Sequence, residues 1–184
     1  FLQTVGDVNA LTLVFLDALY NASSLGLGAD DVLPGNTHLI VGLFAGPVGA
    51  VGLHYSDKYD DLSYNSVLVK ACREGGIAAF TGDGTNPAVF TAAAKAIGEN
   101  GGKGVPTVKP WHKDLVFKKI DYAKAHGAKV LFMDIDASGL PFLKSMTPPS
   151  GSKSVEALRE FVEYAGIPFY LKGIMSVKGA LKAR

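Results

Sequence analysis

Cysteine is almost missing from this 184-residue chain. Cys72 stands alone, which excludes an internal disulfide and a cysteine cage for a metal. Its place in the stretch Val67–Glu74 reads as a buried thiol on a helix. The four histidines, His38, His54, His112 and His126, show no metal-ligand spacing and read as structural or surface residues, so no metal is expected. No basic run exceeds two residues and the formal net charge is only +1, so nothing implies nucleic acid. Long apolar runs are lacking too. Ala10–Tyr20 is too short for a bilayer, is interrupted by Asp17 and has no basic lead, so neither a membrane span nor a signal peptide is expected. The Asn21-Ala22-Ser23 sequon is then idle, and the cytoplasm is the default location. Low-complexity segments, internal repeats and an inter-domain linker are absent as well.

What is present is apolar and periodic. Hydrophobic residues make up 48% and charged ones 19%, which excludes a disordered chain and suits nearly all-apolar strands around a core. Leu11, Val14, Phe15 and Ala18 recur at helical spacing, so residues 1–37 read as a helical segment and lead-in. From 38 to 184 short apolar runs alternate with helical ones. Strands are predicted at His38–Phe44, Ile77–Phe80, Gly104–Val108, Lys129–Asp136 and Pro168–Lys172, and helices at Leu62–Glu74, Pro87–Asn100, Lys113–His126 and Ser154–Ala165. Pro87 suits a first helical turn, Gly101, Gly102 and Gly127 suit helix stops, and Ser154 suits an N-cap. Such alternation builds right-handed βαβ units on a parallel sheet, either an open doubly wound sheet or part of a (β/α)8 barrel. The connection from Ala137 to Lys153, with three prolines, reads as a loop over the C-terminal side of the strands.

The strand ends carry the chemistry. Lys129–Asp136 finishes on two carboxylates, Asp134 and Asp136, which alternation would put on one face opposite Met133 and Ile135. The next strand finishes on Lys172, followed by Gly173, which reads as a fixed cation for developing negative charge. The plainer alternatives are a capping or solvent-facing acid and a rim lysine. Gly46, Gly49 and Gly82 follow the first two strands, where glycine lets a flat ligand approach the backbone. Asp83-Gly84 also fits an ordinary turn, and the single tryptophan, Trp111, fits core and site equally. Gly101–Gly104 precedes a strand instead of opening a helix, so it is no phosphate loop.

Four segments together, IAAFTGDG (77–84), VPTVKPW (105–111), MDIDASGL (133–140) and PFYLKGIM (168–175), resemble the FMN-dependent α-hydroxy acid oxidases and dehydrogenases, particularly a bacterial branch of α-hydroxy-acid oxidising proteins. The resemblance implies a (β/α)8 TIM barrel with FMN at its C-terminal mouth and about five of the eight strand-helix units in this chain. It implies that Lys172 stabilises reduced flavin and that Asp136 orients a catalytic histidine. Gly46, Pro47, Val48, Thr81, Gly82, Lys109 and Asp134 would contact the cofactor, and Trp111 would stand on the substrate side. The substrate implied is a small hydroxylated molecule, and the assembly a homo-oligomer. The chain departs from the pattern in three ways. It stops at Arg184, without the family's Ser-Asn-His-Gly-Gly-Arg segment or its phosphate site. It has no substrate-clamping arginine in Ala137–Lys144, and Trp111 stands in place of a tyrosine. The C-terminal half of the barrel is therefore expected from another chain or from a further part of the same polypeptide. Alternatives are another FMN barrel, such as a type 2 isopentenyl diphosphate isomerase, and a non-catalytic half-barrel scaffold that needs a partner.

Overall fold

A computed structural model describes residues 44–49, 51–54 and 59–183. The expected helix within 1–37 and most of the strand expected at His38–Phe44 lie outside them. Five parallel strands follow one another in sequence order: β1 (Phe44–Ala45), β2 (Ala78–Thr81), β3 (Val105–Val108), β4 (Leu131–Asp134) and β5 (Phe169–Lys172). The connecting helices are α1 (Val51–His54), α2 (Asp61–Glu74), α3 (Pro87–Glu99), α4 (Lys113–Ala125), α5 (Pro141–Lys144) and α6 (Val155–Ala165), and α7 (Val177–Ala183) follows β5. The sheet is open. Among the described residues β1 and β5 each pair on one side only, so no barrel closes within them. No helix among them is long and apolar enough to cross a membrane.

Local chemistry explains the boundaries. Asp60 caps α2 by accepting from the amides of Leu62 and Ser63, Asn86 caps α3 ahead of Pro87, and Ser154 caps α6 through the amide of Ala157. Gly127 leaves α4 with positive φ and Gly166 ends α6 in the left-handed region, where a side chain would be strained. Helices α3, α4 and α6 lay an apolar stripe on one face of the sheet, with Phe90, Val108, Val116, Ile120, Leu131, Met133 and Phe161 at its centre. Each large side chain fully buried there contributes about 1.5–3 kcal/mol. A second cluster joins α2 and α3 to Ala79. The other face of the sheet buries Phe80, Val105, Val130 and Phe132 with Tyr170 against them. Here Phe80 meets Phe132 edge-on at 4.9 Å and Phe132 leans on Tyr170 at 5.1 Å, an aromatic row across the sheet.

Two expectations are corrected. The fourth strand ends at Asp134, not Asp136, because Ile135–Gly139 winds into a 3-10 turn. The connection Ala137–Lys153 is not structureless. Pro141 supplies the fixed φ that starts α5, and Leu143 is sealed in the core with Leu140 and Phe142 packed against it. Burial of these three side chains holds the segment down.

Candidate functional site

Alternation along the strands decides which side chains share a face. Leu131 and Met133 enter the helix-covered core, so Phe132 and Asp134 point the other way. Parallel register pairs Phe132 with Tyr170 and Asp134 with Lys172, which carries Lys172 to the same face, directly beside Asp134. On β3, Val108 is in the helix-side core, so Thr107 and Lys109 flank it on the opposite face. A row of charges therefore crosses three strand ends, one layer beyond the aromatic row.

The distances make it a continuous row. Lys172 Nζ donates to Asp134 Oδ1 at 2.5 Å and to both oxygens of Asp136 at 3.1 and 3.2 Å. Lys109 Nζ lies 3.6 Å from Asp134 Oδ2. Asp136 reaches the lysine from the 3-10 turn, not from the strand, so its approach depends on the turn that ends β4. It also depends on Gly173. There φ is +92°, and a Cβ would lie 2.5 Å from the Asp136 carboxyl carbon.

The two carboxylates are unlike. Burial first, and then contact with Asp136, holds the Asp134 carboxyl above its ordinary value, although Lys172 and Lys109 pull it down. Contact with Asp134 holds Asp136 below its ordinary value, with burial opposing and Lys172 reinforcing the shift. Burial works against the charge on Lys172. Its bonds and attraction to Asp134 and then Asp136 outweigh that, and the ammonium is held above the ordinary lysine value. The row can thus keep a cation fixed and admit one proton, at Asp134 before Asp136.

The remaining expected residues divide. Gly46 is exposed with open space where a Cβ would stand, and Pro47 and Val48 are half-buried beside it. Gly82 is not open to a ligand, because a Cβ there would lie 2.2 Å from the Val48 carbonyl oxygen. Gly49 is likewise filled by the Asp83 carbonyl at 2.2 Å, so these two glycines serve backbone-on-backbone packing of the first two strand-end loops, not approach of a flat ligand. Thr81 shares the helix-facing side with Ala79 and is fully buried, away from the charge row. Trp111, expected on the substrate side, is 2% exposed in the helix-side core against Phe142. His112 sits ahead of α4 at 3.5 Å from Asp114 and His126 stacks on Tyr122, while His38 lies outside the described residues.

Sequence reasoning passed over Asp83 and Lys119. Asp83, read as a turn residue, is 3% exposed. Its Oδ2 accepts from the Trp111 indole at 2.5 Å and the Lys109 amide at 3.0 Å, and its Oδ1 from Lys119 Nζ at 2.8 Å. The Lys119 ammonium also lies 4.4 Å from the centre of the Phe90 ring. Removing one partner of such a buried pair costs about 3–5 kcal/mol. The signal was available: Asp83 follows a strand end as Asp136 does, and Lys119 interrupts the apolar stripe Val116, Ile120, Ala123.

No protein-family model matches the sequence, and no curated protein matches it either. Among solved structures, a Pediococcus acidilactici protein described as a lactate oxidase superposes with a TM-score of 0.53 at 18% identity over 76% of this chain. The match spans 43% of that protein's length, less than half. At that identity the likeness shows a shared fold: the chain has an α/β architecture on a parallel sheet, similar to part of a TIM-barrel oxidase.

Proposed function

We propose that this chain is the N-terminal part of an FMN-binding (β/α)8 barrel that oxidises a small α-hydroxy acid or a related hydroxylated substrate. The observation that carries the reading is the row Lys109, Asp134, Lys172, Asp136 at the C-terminal ends of three adjacent parallel strands, where barrel enzymes keep their chemistry. The distant fold likeness to a described lactate oxidase supports it.

The residues present fit FMN in part. Lys172 remains about one-third exposed after meeting both carboxylates. The buried Thr107 hydroxyl, on the face of the row, has no hydrogen-bond partner, and Gly46 has open space above it. Lys172, Lys109 and Asp134 would hold the cofactor's polar edge, with Gly46, Pro47 and Val48 along its plane. Thr81, Gly82 and Trp111 have no such access without rearrangement. FMN, when bound, supplies the electron acceptor for oxidation of the substrate carbon. This chain's part is to fix a cation at Lys172 and to keep Asp136 ionised for orienting a histidine. That histidine and the FMN-phosphate site would come from beyond these residues, in a homo-oligomeric, cytoplasmic assembly.

A second reading, the non-catalytic half-barrel scaffold, is favoured by one observation. Past β5 the chain displays Met175 and Leu181, 78% and 70% exposed, beside a strand with one free side among the described residues. The visible absorption spectrum of the purified, undenatured protein, before and after adding FMN, separates the two. Flavin bands that are lost in Lys172→Met support the oxidase reading. With the residues that complete the barrel present, a protein that stays colourless after FMN is added and free flavin is removed overturns it in favour of the scaffold.

A further inference from the structure

The buried carboxylate of Asp83 touches no member of the charge row through a side chain, yet it controls where one of them starts. Asp83 Oδ2 binds the main-chain amide of Lys109 at 3.0 Å and the Trp111 indole at 2.5 Å, while the Trp111 amide donates to the Lys109 carbonyl at 2.8 Å. The turn Lys109-Pro110-Trp111 is thereby closed on one oxygen atom. The other oxygen is tied to Lys119 of α4, so the carboxylate cannot swing. Its own backbone is pinned as well, since the Asp83 carbonyl lies against Gly49 and Gly82 lies against Val48. Three successive strand-end loops thus meet at this residue.

From these contacts we infer that Asp83 is a positioning residue for the charge row: it fixes the backbone of Lys109 so that the lysine's ammonium is delivered to Asp134. A carboxylate used only to neutralise Lys119 would not need the Lys109 amide, and one used only to fill the core would not be ionic. Pro110 has no amide to give, so the acceptor is shared between the residues on either side of it. The arrangement needs no flavin, and stands or falls separately from the oxidase reading.

Asp134 reports the outcome, because it faces Lys109, Lys172 and Asp136 and its titration can be followed by carboxyl-carbon NMR. The variant Asp83→Leu with Lys119→Met removes the buried pair together, leaving net charge unchanged and no lone ion in the core, a replacement that proteins commonly tolerate. With Lys109 released, the titration of Asp134 should move up by the same increment that Lys109→Met produces, and adding Lys109→Met to the pair should move it no further. A role in stability alone would alter the unfolding midpoint and leave Asp134 in the folded protein titrating as in the wild type, which would overturn the inference. If the paired variant does not fold, the wild-type chain still decides. The Lys109 amide should be protected from hydrogen exchange and shifted downfield by the carboxylate, and exchange at the rate of an open loop would equally overturn it.

Discussion

Strands β4 and β5 are neighbours in register, yet they live in different environments. In β4, Leu131, Phe132 and Met133 are all buried and only Asp134 is half-open. In β5 every residue is half-buried, and the chain beyond it displays apolar side chains to solvent. One face of β4 is covered by α4 and α6, and its two edges are paired. β5 has one paired edge among the described residues. The charge row lies on the seam between these two regimes, with the carboxylate of Asp134 on the sealed strand and the ammonium of Lys172 on the half-open one. The sealed strand holds the group whose proton affinity is perturbed, and the more accessible strand holds the cation that a ligand can reach.

Substitutions should expose the contrast most strongly in the core. Met133→Ala should cost about 3 kcal/mol and Leu171→Ala about 1 kcal/mol, read as a shift of the urea midpoint with an unchanged slope. Equal costs would show that β5 is as well sealed as β4. The next effect belongs to the half-open side. Gly173→Ala combines a left-handed backbone with a clash at Asp136, and should cost about 2 kcal/mol, more than the loss of Leu171. A Gly173→Ala protein as stable as the wild type would mean that Asp136 does not lie over Gly173. The smallest effect is electrostatic. Lys172 has its folded-state pKa raised above the ordinary 10.5, so its contribution is fully present below that pH and is lost as pH rises through the raised value. Stability measured from pH 9 to 12 should therefore decline, with a shallower decline in Lys172→Met. Identical profiles would break the assignment of that cation to the two carboxylates.

Much of the described fold was legible because each boundary has a local cause. The strand starts and stops near Ala78–Thr81, Val105–Val108 and Phe169–Lys172, the first helical turn at Pro87 and the cap at Ser154 follow from apolar runs and turn residues. The meeting of Asp134 with Lys172 followed from period-two alternation on adjacent parallel strands. The sequence pattern misplaced Asp136, since Asp134, Ile135 and Asp136 alternate as a strand would, while a turn brings the second carboxylate to the lysine by another route. The glycines were misread for a similar reason. Gly49 and Gly82 do permit close approach, but what approaches is the neighbouring loop, and composition cannot distinguish a ligand from a backbone. Asp83 and Lys119 lie 36 residues apart, and only their tertiary contact shows that a turn acid and a helix lysine form a pair.

The row Lys109, Asp134, Lys172, Asp136 alternates in sign and sums formally to zero. Charges so arranged cancel beyond a few ångströms, while at contact distance each remains strong. The row itself therefore adds little long-range field to gather ions from solution. What binds there is selected after it arrives, by how well its own donors and acceptors interleave with the row.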